Sequence, residues 1–190
     1  MSLDLIIGPM FSGKTTELIR RLTKFASIGK KCIYINSDRD TRENKKDFST
    51  HNPTIKKLYN IETTKLRDVN PLLIDGIQQY DIIGIDESQL FNTDLKINVL
   101  SLVEKYDKHV IMSGLNGDFM RNKFGSILDL IPYCDNITKL CAYCSVCAKN
   151  GTIKDAHFSK RTDVSVTDVV DVSYTSYIPV CRCCYNKIEI

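Results

Sequence analysis

The stretch Gly8-Pro9-Met10-Phe11-Ser12-Gly13-Lys14-Thr15 restricts the fold more than any other part of the chain. It reads glycine, four residues, glycine, lysine, then threonine, the template of a loop that cradles phosphate. The apolar run Leu5-Ile6-Ile7 stops where the loop begins. Beyond it, Glu17-Leu18-Ile19-Arg20-Arg21-Leu22 carries apolar residues at helical spacing. Strand, loop and helix in that order are the context the template needs. Its glycines let backbone N–H groups turn inward on an anion, and the positive end of the new helix points at the same place. Lys14 then reaches the β- and γ-phosphates, while the Thr15 hydroxyl helps hold a magnesium ion. An ordinary glycine turn before a surface helix is the plainer alternative. The whole template, however, arises by chance only on the order of once in a hundred chains of this length. The chain is expected to bind a nucleoside triphosphate.

Around this loop, residues 3–7, 31–36, 81–86 and 109–113 are short apolar runs rich in isoleucine and valine. Residues 15–28 and 94–106 lie between them with helical spacing. Such alternation predicts a parallel sheet flanked by helices, of the phosphate-loop NTPase kind. Residues 137–141 read as one more strand, leading out to a second module. Residues 38–59 are polar and charged, without apolar periodicity, and are expected to form a loop over the ligand. A chain of 190 residues builds one good core and leaves room for a small extra unit. The expected division is a nucleotide-binding α/β domain over 1–136 and a smaller unit over 137–190.

A net charge of +3, with no block of like charge, argues for neither nucleic acid nor membrane as partner. Asp4 interrupts the only N-terminal apolar run, so neither a signal peptide nor a membrane span is expected. A cytoplasmic location follows as the default.

Seven of the eight cysteines fall between residues 134 and 184, with Cys32 alone outside. In a reducing compartment such a cluster reads as a metal site before it reads as disulfides. Cys144-Ser145-Val146-Cys147 and Cys181-Arg182-Cys183-Cys184 are two CxxC pairs, and two such pairs supply the four thiolates of a closed, structural zinc site. Cys141-Ala142-Tyr143-Cys144 is also CxxC, so spacing alone leaves the ligand set open. A zinc ion there would pin the ends of a long loop. Buried free thiols and a redox pair are the alternatives, the latter without the βαβ context it needs.

The run Ile82-Ile83-Gly84-Ile85 ends in Asp86-Glu87. In an open parallel sheet, ligands sit at the carboxyl ends of the strands, beside the phosphate loop. Asp86 suits a magnesium-linked role and Glu87 that of a base taking a proton from an attacking hydroxyl. Equally, both would serve as the acidic start of a following helix.

GPMFSGKTTELIRR, DTR at Asp40–Arg42, THN at Thr50–Asn52, IGIDESQLF, LNGDFMRNKFGSILDLIP and a closing VCRCCY occur here in one order. In that order, from Leu5 to Tyr185, the chain resembles the zinc-containing class of cellular and poxviral thymidine kinases. The resemblance implies transfer of the γ-phosphate of ATP to the 5′-hydroxyl of thymidine or deoxyuridine. It implies Glu87 as base, Arg42 beside the transferred phosphoryl, and Asp86 as the magnesium-linked acid. Gly8, Ser12, Gly13, Lys14, Thr15, Thr16, Asp40 and Gln89 fall with the nucleotide and its metal. Met10, Leu115, Phe119 and Phe124 match positions around the thymine ring. Ser159, Val170 and Tyr177 match a lasso that closes over the nucleoside. The same comparison selects Cys144, Cys147, Cys181 and Cys184 as zinc ligands, leaving Cys141 and Cys183 as extras. A homotetramer is implied as well, although no pattern in the residues expresses it.

This chain also departs from the family. Ser88 stands where the family usually has glycine, and Leu90 where it has phenylalanine. The run Val170-Asp171-Val172-Ser173-Tyr174 lacks the lasso's Gly-Gly, whose backbone approaches the base. Phosphoryl transfer is therefore more firmly implied than the identity of the base, and another phosphate-loop deoxynucleoside kinase is the alternative. A zinc-ribbon ATPase acting on nucleic acid would need a basic stripe that is absent. A GTPase would need its guanine-reading motif elsewhere than at Asn44-Lys45-Lys46-Asp47.

Overall fold

The computed structural model describes residues 1–40, 61–92, 94–162 and 176–187. Its main body is a six-stranded sheet built from β1 (Ser2–Gly8), β2 (Cys32–Ser37), β3 (Glu62–Leu66), β4 (Ile82–Ile85), β5 (His109–Leu115) and β6 (Asn136–Lys139). The spatial order is β3-β2-β4-β5-β1-β6, and every neighbouring pair is parallel.

Parallel strands covered on both sides must be apolar on both sides. Along β1, Leu3, Leu5 and Ile7 face one cluster, with Ile33, Ile35, Ile83, Ile85, Val110 and Met112. Ile6 faces the opposite cluster, with Tyr34, Ile82 and Ile111. Helix α1 (Lys14–Ala26) covers the second face through Leu18, Ile19 and Leu22. Its close approach needs Gly84, since a Cβ there would lie 2.6 Å from Leu22 Cδ1. Helix α2 (Leu95–Glu104) covers the first face through Leu95, Val99 and Leu102. The parallel sheet flanked by helices that the alternation predicts is the observed fold.

Strand β3 was not expected. Its residues, Glu-Thr-Thr-Lys-Leu, are only partly covered and carry no buried apolar face, because β3 is an edge strand paired to β2 alone. From residue 41 to its end at 59, the segment expected as a loop lies outside the described residues.

After β6 the chain forms two small antiparallel pairs. β7 (Ala142–Tyr143) pairs with β8 (Asp155–Ala156), and β9 (Phe158–Arg161) with β10 (Tyr177–Val180). Short helices α3 (Ser145–Lys149) and α4 (Arg182–Lys187) sit beside them. Their shared core is small: Ala142, Cys144, Ala156, Val180 and Cys181, with Val146, Phe158 and Tyr185 against it. Among the described residues, no helix is long and apolar enough to cross a membrane.

Candidate active site and metal centre

The carboxyl ends of β1, β4 and β5 meet on one edge of the sheet, where Gly8 is level with Leu115 and Ile85 with Met112. The phosphate loop leaves β1 there. Gly13 caps α1 at φ 79°, a left-handed conformation natural to glycine. Lys14 is buried, and its Nζ donates to Pro9 O at 2.7 Å, as does Ser12 Oγ at 2.8 Å. Thr16, the next residue but one, is exposed on the first turn of α1. Gly8 has no room for a side chain, because a Cβ would lie 2.7 Å from Leu140 O.

Asp86, one residue past β4, is fully buried. Thr15 Oγ1 and Tyr34 Oη each donate to Asp86 Oδ2 at 2.7 Å. Ser113 Oγ and the Glu87 N–H donate to Asp86 Oδ1, the latter at 2.9 Å. Burial first, and then the nearby Glu87 carboxylate, push the Asp86 pKa up, while the three hydroxyl donors pull it back. Tyr34 and Ser113 were not anticipated as members of this site. The sequence signal is a tyrosine between two isoleucines in a buried strand, since a buried phenol needs a partner for its hydroxyl.

Glu87 is neither in a helix nor at the start of a long one. It adopts a left-handed backbone, φ 47°, rare outside glycine, and precedes a single 3₁₀ turn over Ser88–Leu90. Gln89 Nε2 donates to Glu87 Oε2 at 2.5 Å, while Gln89 Oε1 accepts from the Leu115 N–H at 3.0 Å. The Gln89 side chain therefore bridges Glu87 to the end of β5 and is nearly enclosed, at 5 % exposure. Ser88, where the family usually has glycine, is buried and donates to Ile85 O at 3.2 Å. Leu90 is buried, and its carbonyl accepts from Arg39 Nη1 at 3.1 Å. Asp40, three residues past the end of the neighbouring β2, is buried and accepts from Asn36 Nδ2 at 3.0 Å. Arg42 lies outside the described residues.

Of the positions expected around a base, those among the described residues lie toward the same edge. Ser159 Oγ accepts from the Met10 N–H at 2.9 Å, joining the phosphate loop to β9 across 149 residues. Tyr177, opposite Arg161 in the β9–β10 pair, lies 6.2 Å from the Phe119 ring. Leu115 ends β5, and Phe124 precedes Gly125, whose added Cβ would lie 2.5 Å from Gln89 O. Val170 lies outside the described residues, as does the glycine-free run 170–174. Arg161 was missed. Its buried guanidinium lies 4.2 Å from the Phe119 ring centre, and Arg161 Nη2 donates to Tyr177 Oη at 2.7 Å.

The candidate metal ligands come together from both ends of the C-terminal unit. The sulfurs of Cys144, Cys147, Cys181 and Cys184 all lie within 4.8 Å of one another. Cys147 Sγ is 3.9 Å from Cys181 Sγ and 3.6 Å from Cys184 Sγ. Tetrahedral zinc at its usual ~2.3 Å from sulfur puts ligand sulfurs about 3.8 Å apart, so the donor set and its size fit that ion. Burial raises the Cys144 thiol pKa, but hydrogen bonds from the Cys147 and Cys181 backbones and side chains outweigh it and bring the value to about 6. Cys141 and Cys183 are exposed and outside the cluster.

A phosphate loop opening α1 and an acidic strand end bonded to that helix define the class, a phosphate-loop α/β enzyme, here with four clustered cysteines that could hold a metal ion. A family model described as thymidine kinase matches residues 1–185. Among similar proteins, the thymidine kinase of Amsacta moorei entomopoxvirus is 40% identical over 98% of this chain and 99% of its own. Thymidine kinase 1 of Dictyostelium discoideum is 39% identical, covering 97% of this chain and 78% of its own. The cytosolic thymidine kinase of Bos taurus is 37% identical, covering 97% and 72%. The chain belongs to the thymidine kinase family.

Proposed function

We propose that this protein transfers the γ-phosphate of ATP to the 5′-hydroxyl of thymidine, with deoxyuridine as a second acceptor. The observation that carries the reading is the Thr15–Asp86 hydrogen bond of 2.7 Å, with Glu87 beside it. It supports the reading by holding the phosphate loop against the strand end that carries Asp86 and Glu87. ATP lies along the loop, where its phosphates displace the Pro9 carbonyl as partner of Lys14 Nζ. Thr15 and Asp86 would hold a magnesium ion, which when bound would offset the charge of the phosphates, with Asp40 beside the nucleotide. Glu87 accepts the proton of the 5′-hydroxyl as that oxygen bonds to the γ-phosphorus. The bond from that phosphorus to the bridging oxygen breaks, and ADP leaves with the electron pair. Arg42 steadies the charge on the moving phosphoryl.

Gln89 belongs in this reading as the group that holds the Glu87 carboxylate, more than as a contact of the nucleotide. Met10, Leu115, Phe119, Phe124, Ser159, Val170 and Tyr177 make the nucleoside pocket. The four cysteines would hold a zinc ion, which would pin the ends of the lasso and supply no chemistry. The division into 1–136 and 137–190 belongs to the same reading, with β6 the strand that leads from one to the other. So do a homotetramer and a cytoplasmic location, the latter supported by the cytosolic relative's name.

The deciding assay measures phosphate transfer from ATP to thymidine, deoxyuridine, deoxycytidine, deoxyadenosine and deoxyguanosine. Thymidine is expected to give the highest kcat/KM. Deoxycytidine or a purine nucleoside matching it would leave a deoxynucleoside kinase and remove the thymidine assignment.

A further inference from the structure

Tyr185 follows the last cysteine of the metal cluster, yet its hydroxyl donates to the carbonyl of Phe119 at 2.7 Å, 66 residues away. Its other groups are fixed on the metal side. The Tyr185 N–H donates to Cys181 O at 2.9 Å, and Lys160 Nζ donates to Tyr185 O at 2.7 Å. The Cys184 N–H, one residue earlier, points to Cys181 Sγ at 3.5 Å. The phenol is therefore a strut with one end at the metal ligands and the other on the main-chain oxygen of a pocket residue.

The segment it meets is a stiff turn. Asp118 Oδ1 accepts from the N–H groups of Met120 at 2.9 Å and Asn122 at 2.7 Å, and the Asp118 N–H donates to Asn122 O at 2.9 Å. Arg121 is held in the left-handed region at φ 71°, costly for a residue with a side chain. From there its guanidinium lies 4.3 Å from the centre of the Tyr185 ring and 5.7 Å from that of Phe158. A turn braced internally moves as one piece, so its seating decides where the Phe119 ring points. Among the described residues, the Tyr185 hydroxyl and the Arg121 stack join that turn to the end of the C-terminal unit. The Phe119 ring in turn meets Arg161 at 4.2 Å and Tyr177 at 6.2 Å.

We infer that Tyr185 is a positioning residue for nucleoside binding: it seats the Asp118–Asn122 turn on the metal-binding unit and so fixes Phe119 in the pocket. The inference rests on Phe119 belonging to the nucleoside pocket. Its consequence is that thymidine affinity depends on a residue that touches neither nucleoside nor metal.

The test is Tyr185→Phe in the full chain, which keeps the ring and its stack on Arg121 and removes only the hydroxyl. Loss of one neutral hydrogen bond predicts that the Kd and KM for thymidine rise about three- to tenfold. The kcat, the KM for ATP and the zinc content should stay at wild-type values, and the melting temperature should fall by no more than the few degrees that one hydrogen bond is worth. Thymidine Kd is read by calorimetry, independently of turnover. Wild-type thymidine affinity in Y185F would overturn the inference. So would a parallel loss of zinc, stability and every kinetic constant, which marks Tyr185 as part of the core only. Phe119→Ala, measured beside it, separates the two levels: if F119A binds thymidine as the wild type does, the pocket reading itself falls, and the role of Tyr185 with it.

Discussion

Thr15 and Asp86, 71 residues apart, share a hydrogen bond of 2.7 Å that ties the first turn of α1 to the end of β4. With Tyr34, Ser113 and the Glu87 N–H, Thr15 completes a shell of four donors around one fully buried carboxylate. A buried charge survives only where such partners replace water. The same shell fixes Thr15 relative to the main chain of Glu87.

Tyr34→Phe takes one donor from this shell while keeping the ring in the core. The expected loss of stability is about 1 kcal/mol, read from denaturant melts. The sign of the pH effect follows from the shell. A donor that favours the carboxylate is gone, the already raised Asp86 pKa rises further, and the acid limb of kcat/KM moves to higher pH. An unmoved limb would show that ionisation of Asp86 does not govern activity.

Glu87→Gln keeps the shape of the side chain and removes its basicity. Turnover is expected to fall on the order of a hundredfold or more, with ATP affinity near that of the wild type. Single-turnover kinetics alongside a nucleotide titration make the measurement. Turnover close to wild type would reduce Glu87 to a structural carboxylate.

Gly125→Ala strikes the Glu87 bracket from behind. The residue sits at φ 64°, and the new Cβ would lie 2.5 Å from Gln89 O, a main-chain atom with little freedom to retreat. Left-handed strain and overpacking together predict a cost of roughly 2–5 kcal/mol, with a fall in kcat as Gln89 shifts. Gly29→Ala is the control: φ is 82°, and nothing lies within 4 Å of the new Cβ. It should cost only ~1–2 kcal/mol and leave kcat unchanged. Equal denaturation midpoints for the two variants would mean that contact with Gln89 is unimportant.

Purified protein is expected to carry about one zinc per chain in sulfur coordination. Cys144→Ser and Cys184→Ser should lose it, whereas Cys183→Ser and Cys141→Ser, at exposed thiols outside the cluster, should keep it. Elemental analysis and X-ray absorption check both points. Zinc lost from C183S but kept in C184S would reassign the ligands.

The phosphate loop, four central strands, the strand after residue 136 and both long helices were legible in the sequence because their signals are local. Apolar runs mark strands buried on both faces, helical spacing marks α1 and α2, and a glycine–lysine template survives without knowledge of its surroundings. Strand β3 carries no such signal, since an edge strand forms by pairing with β2 and buries little of its own surface. The two CxxC pairs announced a metal site, but three overlapping cysteines left its ligands open until the family resemblance selected four; folding brings those same four sulfurs together. Tertiary structure alone decided the rest of the site. Whether Glu87 starts a helix or stands by itself depends on a left-handed backbone and on a glutamine amide anchored to β5. Tyr34 and Ser113 reach Asp86 only because β2, β4 and β5 lie side by side, and Tyr185 reaches Phe119 only after the C-terminal unit docks. Contacts across 27, 52 and 66 residues leave no trace in a local pattern, because what makes them specific is the packing of the elements that carry them.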